Sequence, residues 1–197
     1  MNFDRVEQAL TRARFHCHRF ATGQDAAQWL AAECSGKTVG IGGSMTAKAM
    51  KLEELLPRTS TVYWHWLTPG PETLANAATA QVYLTSVNAL AETGELINID
   101  GTGNRVGAMC YGPGTVYVLI GRNKIVSGGY AQAVKRIKEI ACPQNARRQH
   151  LHSPCAETGH CNPARCEESM CRVTVAFDHA PGGKRTQVVL INEDLGY

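Results

Sequence analysis

No stretch of this 197-residue chain is long and apolar enough to cross a bilayer, and the opening Met1-Asn2-Phe3-Asp4-Arg5 lacks the apolar core of a secretory signal. These absences argue against a membrane or secreted protein and lead us to expect a cytoplasmic one. Charge is also scarce: Asp, Glu, Lys and Arg make up 19% of the residues, and the formal net charge is only +3. With no long basic run and no interleaved aromatics, nucleic acid is not expected as a partner. The basic group Arg12, Arg14, His16, His18 and Arg19 reads as the solvated face of a helix. Internal repeats and low-complexity tracts are absent. What is present is a hydrophobic fraction of 44%, enough for one main folded unit with at most an appendage.

Cysteine is plentiful, at eight residues. In a reducing compartment that count points to metal binding or redox chemistry and away from a disulfide framework. Cys142, Cys155, Cys161, Cys166 and Cys171 crowd together, whereas Cys17, Cys34 and Cys110 are scattered among apolar neighbours and read as ordinary buried residues.

Hydrophobic spacing divides the chain into alternating elements. Phe3, Val6, Leu10, Ala13 and Cys17 recur every three or four residues, predicting a helix over 3–20 that Gly23 ends. A short helix over 25–33 follows, and Thr38 to Gly42 reads as a buried strand entering a glycine turn. Ser44 caps a helix carrying Met45, Ala49, Leu52 and Leu56, which stops at Pro57. Strands are expected at 60–66, 82–85, 95–99 and 115–120, with helices at 71–80 and 130–140, the last packing Ala133, Val134, Ile137 and Ile140 inward. This alternation predicts an α/β fold, a mixed or mainly parallel sheet flanked by helices, with ligands near the carboxyl ends of its strands. The composition then changes. Residues 1–140 read as the α/β domain and 141–172 as a cysteine-rich insertion with too little carbon to order itself without a metal. Residues 173–197 read as strands (173–177 and 187–191) returning to that domain.

Three constellations carry candidate chemistry. In Gly40-Ile41-Gly42-Gly43-Ser44-Met45-Thr46, glycines allow a sharp turn and the next helix presents free amides. Gly42, Gly43, Ser44 and Thr46 are therefore candidates for holding a phosphate or carboxylate, although the segment matches neither the dinucleotide fingerprint nor the phosphate-loop motif with its lysine. The second constellation runs from Asn88 and Glu92-Thr93-Gly94 to Asn98-Ile99-Asp100-Gly101-Thr102-Gly103-Asn104-Arg105. Its glycines suit a hairpin or loop turn, while Asn88, Asp100, Asn104 and Arg105 are candidate ligand contacts and Glu92 a candidate base or nucleophile. The third is Cys155-x5-Cys161-x4-Cys166-x4-Cys171, with Cys142-Pro143 ahead of it. Four thiolates suit an iron–sulfur cluster. Zinc, with His150, His152 or His160 as substitutes, also fits, as do disulfides or free thiols.

Taken in order, these phrases resemble the LUD-domain (lactate-utilization) family. The likeness extends to Tyr83-Leu84-Thr85-Ser86-Val87-Asn88-Ala89, Gly121-Arg122-Asn123-Lys124-Ile125-Val126 and the ending Val189 to Tyr197, and is greatest to a subgroup like lactate-utilization protein C that carries a cysteine segment. The resemblance implies a fold similar to ribose-5-phosphate isomerase and the coenzyme A transferases. In that wider group a glycine–serine–threonine turn binds phosphate, which Gly42, Gly43, Ser44 and Thr46 would copy, and a Glu near a Glu-Asn-Gly turn is the nucleophile, which Glu92-Thr93-Gly94 resembles with Thr in place of Asn. Ser153-Pro154-Cys155 and Met170-Cys171 fit the subgroup's cysteine segment, whereas the usual C-x2-C pair is widened between Cys161 and Cys166. The resemblance favours iron, as a 4Fe-4S cluster on Cys155, Cys161, Cys166 and Cys171 with Cys142 as alternate, over zinc. The leading expectation is an iron–sulfur redox protein linked to lactate or another small organic acid. An enzyme acting on a phosphorylated or acyl small molecule and a non-catalytic sensor or assembly subunit are the rivals. The partners implied are a small anionic ligand or organic acid, a redox partner protein and a second copy as homodimer.

Overall fold

In the computed structural model, which describes residues 2–197, Asn2 caps α1 (Phe3–Arg12) by accepting from the backbone N–H groups of Asp4 and Arg5. The helix buries Phe3, Val6, Ala9 and Leu10 and ends where Arg14 adopts a left-handed backbone with φ 64°. The chain then enters β1 (His16–Phe20), so the helix expected out to residue 20 is corrected. His16, His18 and Arg19 belong to an edge strand paired with residues 187–191, and that pairing overrides the helical spacing of Ala13 and Cys17.

Six strands form one wholly parallel sheet. Besides β1 these are β2 (Thr38–Ile41), β3 (Thr61–Trp64), β4 (Val82–Ser86), β7 (Thr115–Gly121) and β10 (Arg185–Ile191), in the order β1-β10-β7-β4-β2-β3. The central strands are apolar almost throughout because helices cover both faces. The covering elements are α1, α2 (Gly23–Cys34), α3 (Met45–Ala49), α4 (Leu52–Leu55), α5 (Pro71–Ala78) and α6 (Asn104–Cys110). The fold class is the α/β one expected. The single helix foreseen after Ser44 is broken at Lys51, whose φ is 53°, and the residues it buries are Thr46, Ala47, Met50, Leu52 and Leu56, while Met45 and Ala49 are not buried.

A second sheet, in the order β8-β5-β6-β9, joins β5 (Ala89–Ala91), β6 (Leu96–Asp100), β8 (Ile125–Val126) and β9 (Val173–Phe177). Strands β5 and β8 are too short to show a period, which explains why the sequence reading passed over them. They carry the topology nonetheless. β4 leads into β5 through Val87-Asn88, and β7 into β8 through Arg122-Asn123-Lys124, so both segments lie at the junction of the sheets. Of the two C-terminal strands, β10 inserts between the edge strand β1 and β7 of the parallel sheet and β9 pairs with β6.

The helix expected to end at residue 140 continues through α7 (Tyr130–Arg136), a π-helical turn (Ile137–Ala141) and α8 (Cys142–Arg148). Pro143 lacks an N–H, and the widened turn accommodates that missing bond. The extra residue rotates the buried face, so Ala141 packs inward and Ile140 is 42% exposed. Ala133, Ile137, Ala141 and Cys142 pack against Ala89, Ala91, Ile97 and Ile99 of the second sheet. Beyond α8 the cysteine segment contains α9 (Pro154–Thr158) and one 3-10 turn (Pro163–Arg165).

Candidate functional site

A cleft of about 220 Å3 opens off the carboxyl ends of β2, β3 and β4, where the two sheets meet. Its floor is organised by Arg105. Asp100 accepts from the backbone N–H groups of Thr102 and Gly103, and Gly103, at φ 85°, starts α6 and aims Arg105 back across the loop. Arg105 Nε donates to Asp100 Oδ2 at 3.2 Å, Nη1 to Asn98 Oδ1 at 2.7 Å and the Ser86 carbonyl at 3.3 Å, and Nη2 to the Ile99 carbonyl at 3.1 Å and Asn88 Oδ1 at 3.3 Å. All five guanidinium N–H groups are engaged. The loop is therefore an ordered helix entry and not a hairpin turn, and Arg105, foreseen as a clamp on the ligand, holds the cleft's own wall together. Asn88 and Asp100 share that role, and Asn104 also lines the cleft.

Lys124 is the cleft residue the sequence reading missed. Only 3% exposed, its Nζ donates to Ser86 Oγ at 2.9 Å and the Val87 carbonyl at 3.2 Å. The Ser86 hydroxyl gives its own proton to the Leu119 carbonyl at 2.6 Å, which fixes its oxygen as the acceptor for Lys124. Burial holds Lys124 well below the usual ammonium range, and the neighbouring Arg136 and Arg105 push in the same direction. Arg136 is buried too, donating from Nη1 to the Asn88 carbonyl at 2.7 Å and from Nε and Nη2 to the Asn123 carbonyl. Among the described residues, Asp100 is the one carboxylate in ion-pair contact with any of these three cations. At the rim, Arg148 donates to Tyr197 Oη and Asn145 Oδ1, both at 2.8 Å, and lies 5.0 Å over the Trp66 ring, while its Nη1 bonds nothing among the described residues. His65 completes that side, its pKa lowered by burial.

The glycine turn contributes less than its sequence suggested. Gly43 and Ser44 line the cleft, but the Ser44 hydroxyl caps the Ala47 N–H at 3.1 Å. Thr46 is fully buried and donates to the Leu195 carbonyl at 3.1 Å. The five-residue α3 offers no long helix terminus. Gly42 is explained by close approach, since a Cβ there would stand 2.8 Å from Tyr83 Oη and 3.2 Å from Arg105 Cγ. Glu92 is not in the cleft. It lies in the turn that closes the β5–β6 hairpin, at the opposite end of β6 from Asp100, where it meets Arg5 at 3.6 Å and the Ser127 hydroxyl at 3.3 Å. This placement removes it from the candidate catalytic groups of the site.

Of the segment's cysteines, Cys171 comes into contact with Cys142, with Sγ to Sγ at 3.4 Å, and both line the cleft. The hydrogen bond between the two thiols and the nearby Lys138 lower Cys171, while the same hydrogen bond and burial raise Cys142, so Cys171 is the more readily ionised of the pair. Cys155 is buried beside Ser153, Cys166 is half-buried and Cys161 is exposed. Among the described residues no three His, Cys, Asp or Glu side chains gather as a metal site. The donor chemistry suits a soft metal, but the positions of Cys155, Cys161, Cys166 and Cys171 do not form the four-thiolate cage foreseen for a cluster. Of the three cysteines expected to be buried, Cys34 is, and burial pushes it up to about 11; Cys17 is half-buried and pushed up to about 12, and Cys110 is exposed.

A parallel α/β sheet joined to a smaller second sheet, with a polar, cation-rich cleft at the junction, defines the class of protein. The LUD domain matches residues 3–191, and the chain belongs to the LUD-domain family. Its fold is similar to the crystal structure of a DUF162 family protein from Deinococcus radiodurans, with a TM-score of 0.56 over 96% of this chain and 95% of that one at 13% identity. No curated protein matches the chain.

Proposed function

We propose that this LUD-domain protein binds a small organic anion in the cleft, as a cytoplasmic component of lactate or related organic-acid metabolism. One observation carries the reading: Lys124 and Arg105 line the cleft with Arg136 buried beside them, and among the described residues Asp100 is the only carboxylate in ion-pair contact with any of the three. Burial and the two guanidinium groups keep Lys124 from protonating in the free protein, and a bound carboxylate offsets their charge and favours the ammonium form, which then donates to it. Arg148 at the rim supplies a fork with free donors for the same anion. Calorimetric titration of lactate, acetate and inorganic phosphate into the wild type and Lys124→Met tests the reading. Carboxylate binding should weaken about 10- to 100-fold in the variant, the scale of a lost charged hydrogen bond of about 1.5–3 kcal/mol. Failure of every anion to bind, or equal binding by both proteins, would reject it.

The Cys142–Cys171 contact favours a second reading, that of a redox protein with a metal held by the cysteine segment. Cys142, Cys155 and Cys171, with Cys161 or Cys166 drawn in, would hold a 4Fe-4S cluster or zinc, and a cluster would supply one-electron transfer to a partner protein. Purification without oxygen followed by iron, sulfide and zinc analysis decides it: iron with sulfide supports the cluster, stoichiometric zinc alone supports the alternative, and metal-free protein rejects both.

A further inference from the structure

We propose that Lys124 is a covalent docking residue that captures 2-oxo acids as an imine. This rests on the anion-binding reading above and deepens it by naming the ligand class. The carrying observation is the arrangement around Nζ. Cε, the Ser86 hydroxyl oxygen at 2.9 Å and the Val87 carbonyl at 3.2 Å surround Nζ on one side, the two oxygens being 3.3 Å apart. Ser86 Oγ accepts from Lys124, because the nearest acceptor for its own proton is the Leu119 carbonyl at 2.6 Å. With both N–H bonds of a neutral amine directed at these acceptors, the remaining direction is the nitrogen lone pair, on a residue that lines the cleft.

The surroundings favour that neutral amine. Burial and the two neighbouring guanidinium groups, Arg136 and Arg105, disfavour the ammonium form, and Asp100, the nearby carboxylate, is paired with Arg105 and not with Lys124. Desolvation next to another cation is a general way of making a lysine nucleophilic near neutral pH. A nucleophilic amine selects a carbonyl carbon, the cations select an anionic group, and about 220 Å3 admits only a small molecule. A 2-oxo acid combines the three requirements.

In the step itself, the Nζ lone pair bonds to carbon 2 and the carbonyl π pair moves to oxygen, which takes a proton from nitrogen. Loss of that oxygen as water leaves the C=N bond, so amine and ketone give imine and water with no oxidant or reductant. A proton taken up from solvent gives the protonated imine, whose one N–H is kept for Ser86 or Val87.

Wild-type protein is incubated with pyruvate and sodium borohydride at pH 7 and then peptide-mapped by mass spectrometry, with lactate as the control lacking a carbonyl. Borohydride delivers hydride to the imine carbon, and solvent supplies the proton that completes a stable secondary amine. The expected result is one pyruvate-derived adduct on the Lys124 peptide, at least about tenfold above the exposed Lys48 and absent with lactate, because ordinary lysines are almost wholly protonated at this pH. Mapping on wild-type protein makes the result independent of whether a Lys124 variant folds. Labelling spread evenly over the surface lysines, or none at Lys124, overturns the imine. If pyruvate is not trapped but lactate and acetate bind in a Lys124-dependent way, the imine falls and anion binding stands. If none of them binds, both fall.

Discussion

Replacing Arg105 by Met should damage the fold more than a ligand contact would. The side chains of Arg105 and Asp100 are 12% and 8% exposed, so the substitution leaves a nearly buried carboxylate without its cation. Removing one partner of such a pair costs about 3–5 kcal/mol. Asp100 retains the Thr102 and Gly103 N–H groups, which pulls its share toward the lower figure. Asn98 Oδ1, however, loses its 2.7 Å bond from Nη1, and an orphaned buried acceptor costs about 1–3 kcal/mol. We therefore expect a loss of about 3–5 kcal/mol against a total stability of roughly 5–15 kcal/mol, and a fall in Tm of roughly 6–20 °C. Urea denaturation and calorimetry of Arg105→Met measure it, and adding Asp100→Asn should recover at least about 1 kcal/mol, since the two residues are coupled. A loss below about 1 kcal/mol accompanied by weaker anion binding would show that Arg105 is a free clamp and would refute the argument.

Glu92→Gln should leave anion binding unchanged and alter stability by less than about 1 kcal/mol, because its partner Arg5 is largely exposed; calorimetry and denaturation check both points. Gly40→Ala should destabilise by about 3 kcal/mol or more in urea melts, because the new Cβ would stand 2.3 Å from the Ala77 carbonyl oxygen of α5, a backbone contact that cannot swing aside. In reduced, metal-free protein, Cys171 should be the first thiol alkylated by iodoacetamide as pH rises, with a midpoint below that of an ordinary thiol, and Cys142→Ser should move that midpoint upward by weakening the hydrogen bond between the pair. An unchanged midpoint would mean that Cys142 does not set it.

The parallel class of the fold was readable because buried parallel strands are continuous apolar runs, as in Val116 to Ile120 and Val188 to Ile191. The polar loop from Asn98 to Arg105 was readable as a site for a similar reason, since few loops concentrate so many groups able to bond one another. Lys124 was not readable. In sequence it stands with Arg122 and Asn123 in a polar step between apolar segments, which is how an ordinary exposed turn looks, and its burial follows from β7 passing into β8 within three residues. Glu92 misled because it is only a few residues from Asn88, yet β5 carries it to the far end of the hairpin. The segment after residue 140 changes composition, but α8 continues the preceding helix, so Cys142 reaches Cys171 from a helical position that composition does not reveal.

A crystal structure of the protein with lactate at saturating concentration tests the central claim most directly. The account predicts the carboxylate inside the cleft, within hydrogen-bond distance of Lys124 Nζ and facing the Arg148 side of the opening. A cleft holding only water, with lactate bound at another site or at none, would contradict it.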